Sequence, residues 1–301
     1  MSTPRKHHFV PKFYLRGFTK DSSDDGKLWV VELERRKSWR SSPAKAACEG
    51  DFYKGELGPD VDPMWLERGL GSFVEPLMAE VLEFILDTKE VPPCGQARDV
   101  FLNLVATSLV RGRAMREYMS QSIDATLRQT LGELAGSDAG TALVKAIEDA
   151  GMSAQEFISL NNQEAFQYDF DRVTYLKAMI SQTSLALDAF ARRDWIVRIV
   201  ADDAPDLICS DAPVGLIALT GEVPRLWFDP NALVVMPLSR SVAAIGSTKK
   251  VKQPEVLGTA HVARINRTIV GAASQVYCSE PAFTVYSGNE IQRVELPRNH
   301  K

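Results

Sequence analysis

The amino-acid sequence predicts an α+β fold: a mixed or antiparallel sheet built from the N- and C-terminal segments, with an all-helical block between them. Three observations predict it. Short β-rich runs bounded by turn residues occur near both ends of the chain. Across residues 62–194 apolar side chains instead recur every three or four positions, the spacing of one helix face. The first eighteen residues hold His7-His8-Phe9-Val10-Pro11-Lys12-Phe13-Tyr14-Leu15-Arg16-Gly17-Phe18, and a start so rich in side chains that want burial should dock into the body rather than fray. The 301 residues are read as a single domain in three parts, 1–61, 62–194 and 195–301, with the outer two sharing a sheet.

The first part contains one convincing strand, Leu28–Leu33, between the Asp24-Asp25-Gly26 turn signal and the charged run Glu34–Lys37. Trp39–Tyr53 reads as irregular or short extended structure. In the second part Leu66, Leu70, Phe73, Leu77, Val81 and Phe84 share a helix face. Pro76 interrupts them, either kinking that helix or occupying the first turn of a new one. Ala97, Phe101, Leu104, Ser108, Gly112, Met115 and Met119 continue the period on a second helix. Ile123, Leu127, Leu131 and Leu134 mark a third, ended by Gly136, and Leu143, Val144 and Ile147 a fourth, ended by Gly151. Ser153-Ala154-Gln155-Glu156 is a capping box for a short fifth. Leu176, Met179, Thr183, Leu187 and Phe190 line a long sixth. The third part offers strands at Trp195–Val200, Leu207–Cys209, Leu226–Phe228, Leu233–Met236 and Val242–Gly246. One helix follows, with Val262, Ile265, Ile269, Ala273 and Val276 on its face, and Phe283–Ser287 and Ile291–Leu296 close the chain.

Composition is that of an ordinary globular protein, 45% hydrophobic and 25% charged, and the net charge of −4 argues against a generally basic nucleic-acid coat. Charge is nevertheless uneven. Residues 1–20 hold Arg5, Lys6, Lys12, Arg16 and Lys20 with no acid, and Arg35, Arg36, Lys37 and Arg40 follow. These are either two solvated faces or an anion-attracting rim around a site near the N-terminus. Cys48, Cys94, Cys209 and Cys278 form no CxxC pair, so neither a zinc ribbon nor a disulfide framework is expected. With no apolar run of bilayer length and no signal region, a reduced cytoplasmic protein without a membrane partner is expected.

Four blocks of residues resemble the domain-of-unknown-function family numbered 4238. They are His7 through Phe18, the strand from Trp195 followed by Ser210-Asp211-Ala212-Pro213-Val214, the step Pro237-Leu238-Ser239, and Ile265-Asn266. Looser matches fall at Glu75 and at Arg111 in Leu109-Val110-Arg111-Gly112-Arg113. The resemblance covers nearly the whole chain and supplies no established activity, so chemistry must come from the residues.

Those residues give the following candidates. His7 and His8 are adjacent in an extended segment and point to opposite sides, so one of them is expected to serve as a general acid/base or a single metal ligand, or as a tether for the N-terminus. Arg111 projects within about 20° of Leu104 on the helix, and a guanidinium there demands an anionic or carbonyl partner: Glu75, Asp211 or a substrate phosphate. Arg113 and Arg116 are read as solvated. Asp211 stands in a polar turn after an apolar strand, as a metal ligand, an orienting carboxylate or plain turn chemistry. Glu75 is its expected companion for a divalent metal such as Mg or Mn. Lys12, Tyr14, Arg16, Ser210 and Asn266 are the expected substrate-binding residues, Asn266 being equally suited to capping a neighbouring loop. No Walker loop, dinucleotide fingerprint, zincin helix, kinase set or nucleophile elbow is present. The leading expectation is a hydrolase of the nuclease type, an effector that cleaves phosphodiesters and so has nucleic acid or a nucleotide as partner. The alternatives are a non-catalytic binding or regulatory module with a protein partner, and a nucleotide-dependent transferase.

Overall fold

The computed structural model describes residues 6–50, 69–166, 168, 172–219, 227–250 and 254–297. In chain order, strand β1 (Lys6–His8) leads into a short helix α1 (Lys12–Leu15) and a 3-10 turn (Arg16–Phe18). Strands β2 (Leu28–Glu32), β3 (Lys37–Ser41) and β4 (Cys48–Gly50) follow. The helical block comprises α2 (Glu75–Thr88), α3 (Gly95–Val110), α4 (Arg113–Ala135), α5 (Thr141–Asp149), α6 (Ala154–Asn162) and α7 (Arg172–Ala191). The last part holds β5 (Asp194–Val200), β6 (Cys209–Ser210), β7 (Gly215–Ala218), β8 (Ala232–Ser239), β9 (Val242–Ser247), β10 (Val256–Leu257), α8 (Thr259–Gly271), β11 (Gln275–Cys278), β12 (Ala282–Ser287) and β13 (Glu290–Glu295).

The two chain ends do share a sheet. Its strand order is β3-β2-β11-β6, and β11 pairs antiparallel with both β2 and β6. A second sheet, β10-β5-β9-β8-β7, belongs wholly to the last part; its one parallel pair, β10 with β5, makes it mixed. Strand alternation divides the core in two. Val234, Met236 and Leu238 of β8 face the helical block with Phe101, Leu104 and Phe190. Leu233 and Val235 face the other way, toward Val262, Ile265 and Ile269 of α8. Covered on both faces, β8 reads as a continuous apolar run. The opening segment is docked as expected: Phe9, Val10, Tyr14, Leu15 and Phe18 are all buried in the helix-side core. The Tyr14 and Phe18 rings meet edge to face at 5.3 Å, each contributing on the order of 2 kcal/mol by burial.

Several local expectations hold. Pro76 is the second residue of α2, which continues directly from a π-helical turn at Leu70–Val74, so its missing N–H falls where the wider turn passes into the α-helix. The Ser153 hydroxyl accepts the Glu156 N–H at 3.2 Å, and Gly151 takes a positive φ of 84° at the end of α5. Three expectations are corrected. The helix through Gly112 is broken there: Gly112 is extended (φ −68°, ψ 153°), and the residues expected on a third helix continue α4 instead. The late helix stops at Gly271, so that Val276 belongs to β11. Trp227 and Phe228 form a turn rather than the end of a strand, and Leu226 lies outside the described residues, as does Leu66.

Candidate functional site

The break between α3 and α4 is where the candidate residues meet. Arg111 closes α3, its N–H bonded to Thr107 O. A Cβ on Gly112 would lie 2.2 Å from the Asp211 carbonyl oxygen, so only glycine lets the two backbones approach this closely. The Arg111 side chain is 3% exposed. Its Nη1 donates to Glu75 Oε1 at 2.9 Å and its Nη2 to the His8 carbonyl at 2.8 Å. Glu75 is the first residue of α2, directly after the π-helical turn Leu70–Val74, and its carboxylate meets Arg111 from there. One guanidinium thus joins β1, α2 and the α3–α4 corner.

His8 is partly buried, and its Nε2 donates to Pro43 O at 3.3 Å. That assignment leaves Nδ1 of the neutral ring as an acceptor. Burial lowers the imidazole pKa from its ordinary 6.5; the Pro43 bond and the Glu75 charge oppose the shift, and Arg111 and Lys12 reinforce it. Across β1–β4, Glu49 stands opposite His7 and Cys48 opposite His8. The His7 side chain lies outside the described residues. Glu49 Oε1 accepts Arg116 Nη1 at 3.2 Å, and the Arg116 guanidinium lies 5.2 Å from the Tyr175 ring centroid. Burial raises the Tyr175 phenol, Arg116 and Arg111 draw it back, and Glu49 pushes it further up. His8, Glu49, Glu75, Arg111, Arg116 and Tyr175 therefore share one electrostatic neighbourhood. Glu75, Glu49 and Arg116 keep 24%, 29% and 29% of their side-chain surface open to solvent.

The other expected residues are engaged elsewhere. Asp211, fully buried, accepts the Ser274 and Gln275 N–H groups on Oδ1 at 2.9 and 3.0 Å. Ser210 accepts the Ala212 N–H at 3.0 Å. Asn266 accepts from Ile208 N and donates to Asp206 O and Thr284 O, which makes it the loop cap. Tyr14 donates to Pro237 O. The basic start finds acids within the protein: Lys12 pairs with nearby Asp24, and Arg16 and Lys20 pair with the distant Glu83 and Glu280. The expected metal pair thus separates, Glu75 toward Arg111 and Asp211 toward backbone N–H groups. Among the described residues no group of three or more His, Cys, Asp or Glu is placed to hold a metal ion.

Sequence reasoning overlooked Glu49 and Tyr175 and read Arg116 as solvated. The helix phase used for Arg116 ran through a break that no apolar pattern announces. A basic hollow of about 350 Å³, lined by Lys27, Arg40, Ser41, Ser42 and Lys45, adjoins the loop whose Pro43 carbonyl orients His8. Arg40 is the member of the second basic cluster that reaches it.

A family model described as a protein of unknown function, DUF4238, matches residues 6–281. The chain belongs to that family. The DUF4238 match spans every residue of the His8 neighbourhood and the Asp211 turn with it. No curated protein and no solved structure matched this DUF4238 chain. Among the described residues no helix is long and apolar enough to cross a membrane.

Proposed function

We propose that the His8 neighbourhood cleaves a phosphodiester by proton shuttling, with a nucleic acid as substrate. The observation that carries this reading is the His8 imidazole itself: partly buried, its pKa lowered by that burial, and oriented by Pro43 O through Nε2. Its Nδ1 takes the proton of an attacking hydroxyl as the new P–O bond forms, and returns it to the leaving oxygen as the old one breaks. Arg116, the more open guanidinium, stabilises charge on the non-bridging oxygens. Arg111 is a positioning residue that fixes the His8 backbone and Glu75. The hollow lined by Lys27, Arg40 and Lys45 supplies sequence-independent attraction for the phosphate chain.

The test is cleavage of end-labelled RNA and DNA by the purified protein. Turnover should fall about a hundredfold or more in His8→Gln and in Arg116→Met, with melting temperatures near wild type. Absence of cleavage of both polymers by folded wild-type protein refutes the reading. A second reading, a non-catalytic binding module, is favoured by the internal hydrogen bonds of Ser210, Asp211, Asn266 and Tyr14 to backbone groups. It requires that the variants change partner binding and no turnover.

A further inference from the structure

We infer that the hollow lined by Lys27, Arg40, Ser41, Ser42 and Lys45 is a seat for a terminal phosphate, and that it selects a nucleic-acid strand by its phosphorylated end. The lining holds three cations, two hydroxyls and no acid. Lys12, Arg16, Lys20, Arg35 and Arg116 each meet a carboxylate, whereas among the described residues Lys27, Arg40 and Lys45 meet none. Like charges gathered around one hollow repel, and an entering anion removes that repulsion. The charge count favours a chain end over a link within the chain. A diester carries a single negative charge, a terminal phosphate about −1.5 to −2 at pH 7. The guanidinium, ammonium and hydroxyl groups suit its oxygens as donors of charge-assisted hydrogen bonds.

The backbone brings the five residues together. Leu28 stands opposite Ser41 in the β2–β3 pairing, so Lys27 leaves the ladder beside Ser42. The Lys45 and Ala46 N–H groups both donate to Ser42 O, at 2.9 and 3.0 Å, and this turn returns Lys45 toward the strand ends. Within the turn Pro43 is buried, and its carbonyl accepts from His8 Nε2 at 3.3 Å. A phosphate held by Ser42 and Lys45 is therefore one turn of chain from the imidazole, which places the first linkages of the strand nearest to it.

Trp39 favours a nucleic acid over other phosphorylated molecules. It precedes Ser41 by two positions on β3, so the two side chains share a face, and its ring is 38% exposed. A base next to the seated phosphate has that ring to stack on. Cutting of the strand rests on the phosphodiester reading; capture of its end does not.

The experiment is calorimetric titration of the whole chain with a single-stranded hexanucleotide bearing a 5′-phosphate, a 3′-phosphate or hydroxyls at both ends, and with inorganic phosphate and a phosphoserine peptide. One phosphorylated strand should bind about tenfold or more tightly than the hydroxyl form. Lys27→Gln, Arg40→Gln and Lys45→Gln should each remove most of that preference. Arg36→Gln, which deletes a charge outside the hollow, should leave it intact. Trp39→Leu should weaken the strands about fivefold or more and leave inorganic phosphate unchanged. Equal binding of phosphorylated and hydroxyl strands overturns the seat, as does an Arg36→Gln loss equal to that of Arg40→Gln, the mark of a diffuse basic face. A phosphoserine peptide bound as tightly as the strand, or Trp39→Leu without effect, overturns the choice of a nucleic acid. Preference for the phosphorylated end without cleavage supports the seat and refutes the nuclease chemistry; cleavage with no such preference does the reverse.

Discussion

Replacing Asp211 with alanine should unfasten the junction of the two chain ends and leave chemistry untouched in whatever fraction stays folded. The carboxylate receives two backbone N–H bonds, from Ser274 at 2.9 Å and Gln275 at 3.0 Å. Its own N–H donates to Gln275 O at 3.0 Å, closing a ring of backbone contacts at the start of β11. Hydrogen bonds to a charged acceptor contribute about 1.5–3 kcal/mol each, so Asp211→Ala should cost about 3–6 kcal/mol. Asp211→Asn keeps a neutral acceptor in the same place and should cost about half as much. At about 2.1 cal/mol/K of unfolding entropy per residue, a loss of about 4 kcal/mol in this chain lowers the melting temperature by about 6 °C. Thermal and urea unfolding of the three proteins, with nucleic-acid cleavage measured per folded molecule, make the assay. A folded Asp211→Ala protein that melts within a degree of wild type but has lost turnover would refute the reasoning and make Asp211 catalytic.

Three further outcomes follow from the same geometry. Gly112→Ala should destabilise by about 2 kcal/mol or more in urea unfolding, because its Cβ would lie 2.2 Å from a backbone oxygen that cannot swing aside; a neutral result would show the corner to be loose. Burial holds His8 below its ordinary 6.5, so between that folded value and 6.5 the unfolded chain binds a proton that the folded protein does not. Its contribution to stability is thus complete above pH 6.5 and shrinks as pH falls through that window. His8→Gln should flatten this part of the pH–stability curve, and an NMR titration midpoint for His8 at or above 6.5 would contradict it. Exposed Cys94 should react first with a thiol reagent in the native state. Burial pushes Cys209 up and Cys278 to about 12, so both should react only as fast as the protein unfolds; rapid labelling of either would mean that the core opens locally.

The fold was legible where local chemistry and tertiary packing agree. Leu28–Glu32 carries its turn signals with it, Pro76 marks a helix start, and the Ser153 box caps the helix it announces. The docking of residues 7–18 was legible from their apolar content alone. What stayed hidden depends on contacts distant in sequence. The period Ser108, Gly112, Met115, Met119 runs unbroken through a corner that exists because the Asp211 carbonyl occupies the space a side chain at residue 112 would need. Val276 is in phase with the face of α8 yet lies in β11, because that segment is claimed by pairing with Val31 of β2, more than two hundred positions earlier. Glu49 and Tyr175 had no pattern of their own to reveal them. Each gains meaning only from Arg116, whose orientation is a consequence of the same corner.

That corner also explains why one set of motif residues divides into two kinds. Asp211, Ser210, Asn266 and Tyr14 fasten strands and loops through hydrogen bonds to backbone groups inside the protein, where losing such a bond is costly. His8, Glu75, Glu49 and Arg116 stand where β1, α2 and α4 meet solvent, and retain open surface. Arg111 belongs to both. Two acceptors in different directions, Glu75 and the His8 carbonyl, suit the planar fork of a guanidinium and not the single point charge of an ammonium. A residue that spans a sealed fastening and an open group transmits the order of the first to the second. The deep seating of Phe9, Tyr14 and Phe18 fixes the His8 backbone, Arg111 grips that backbone, and the imidazole is held in place on an otherwise short edge strand.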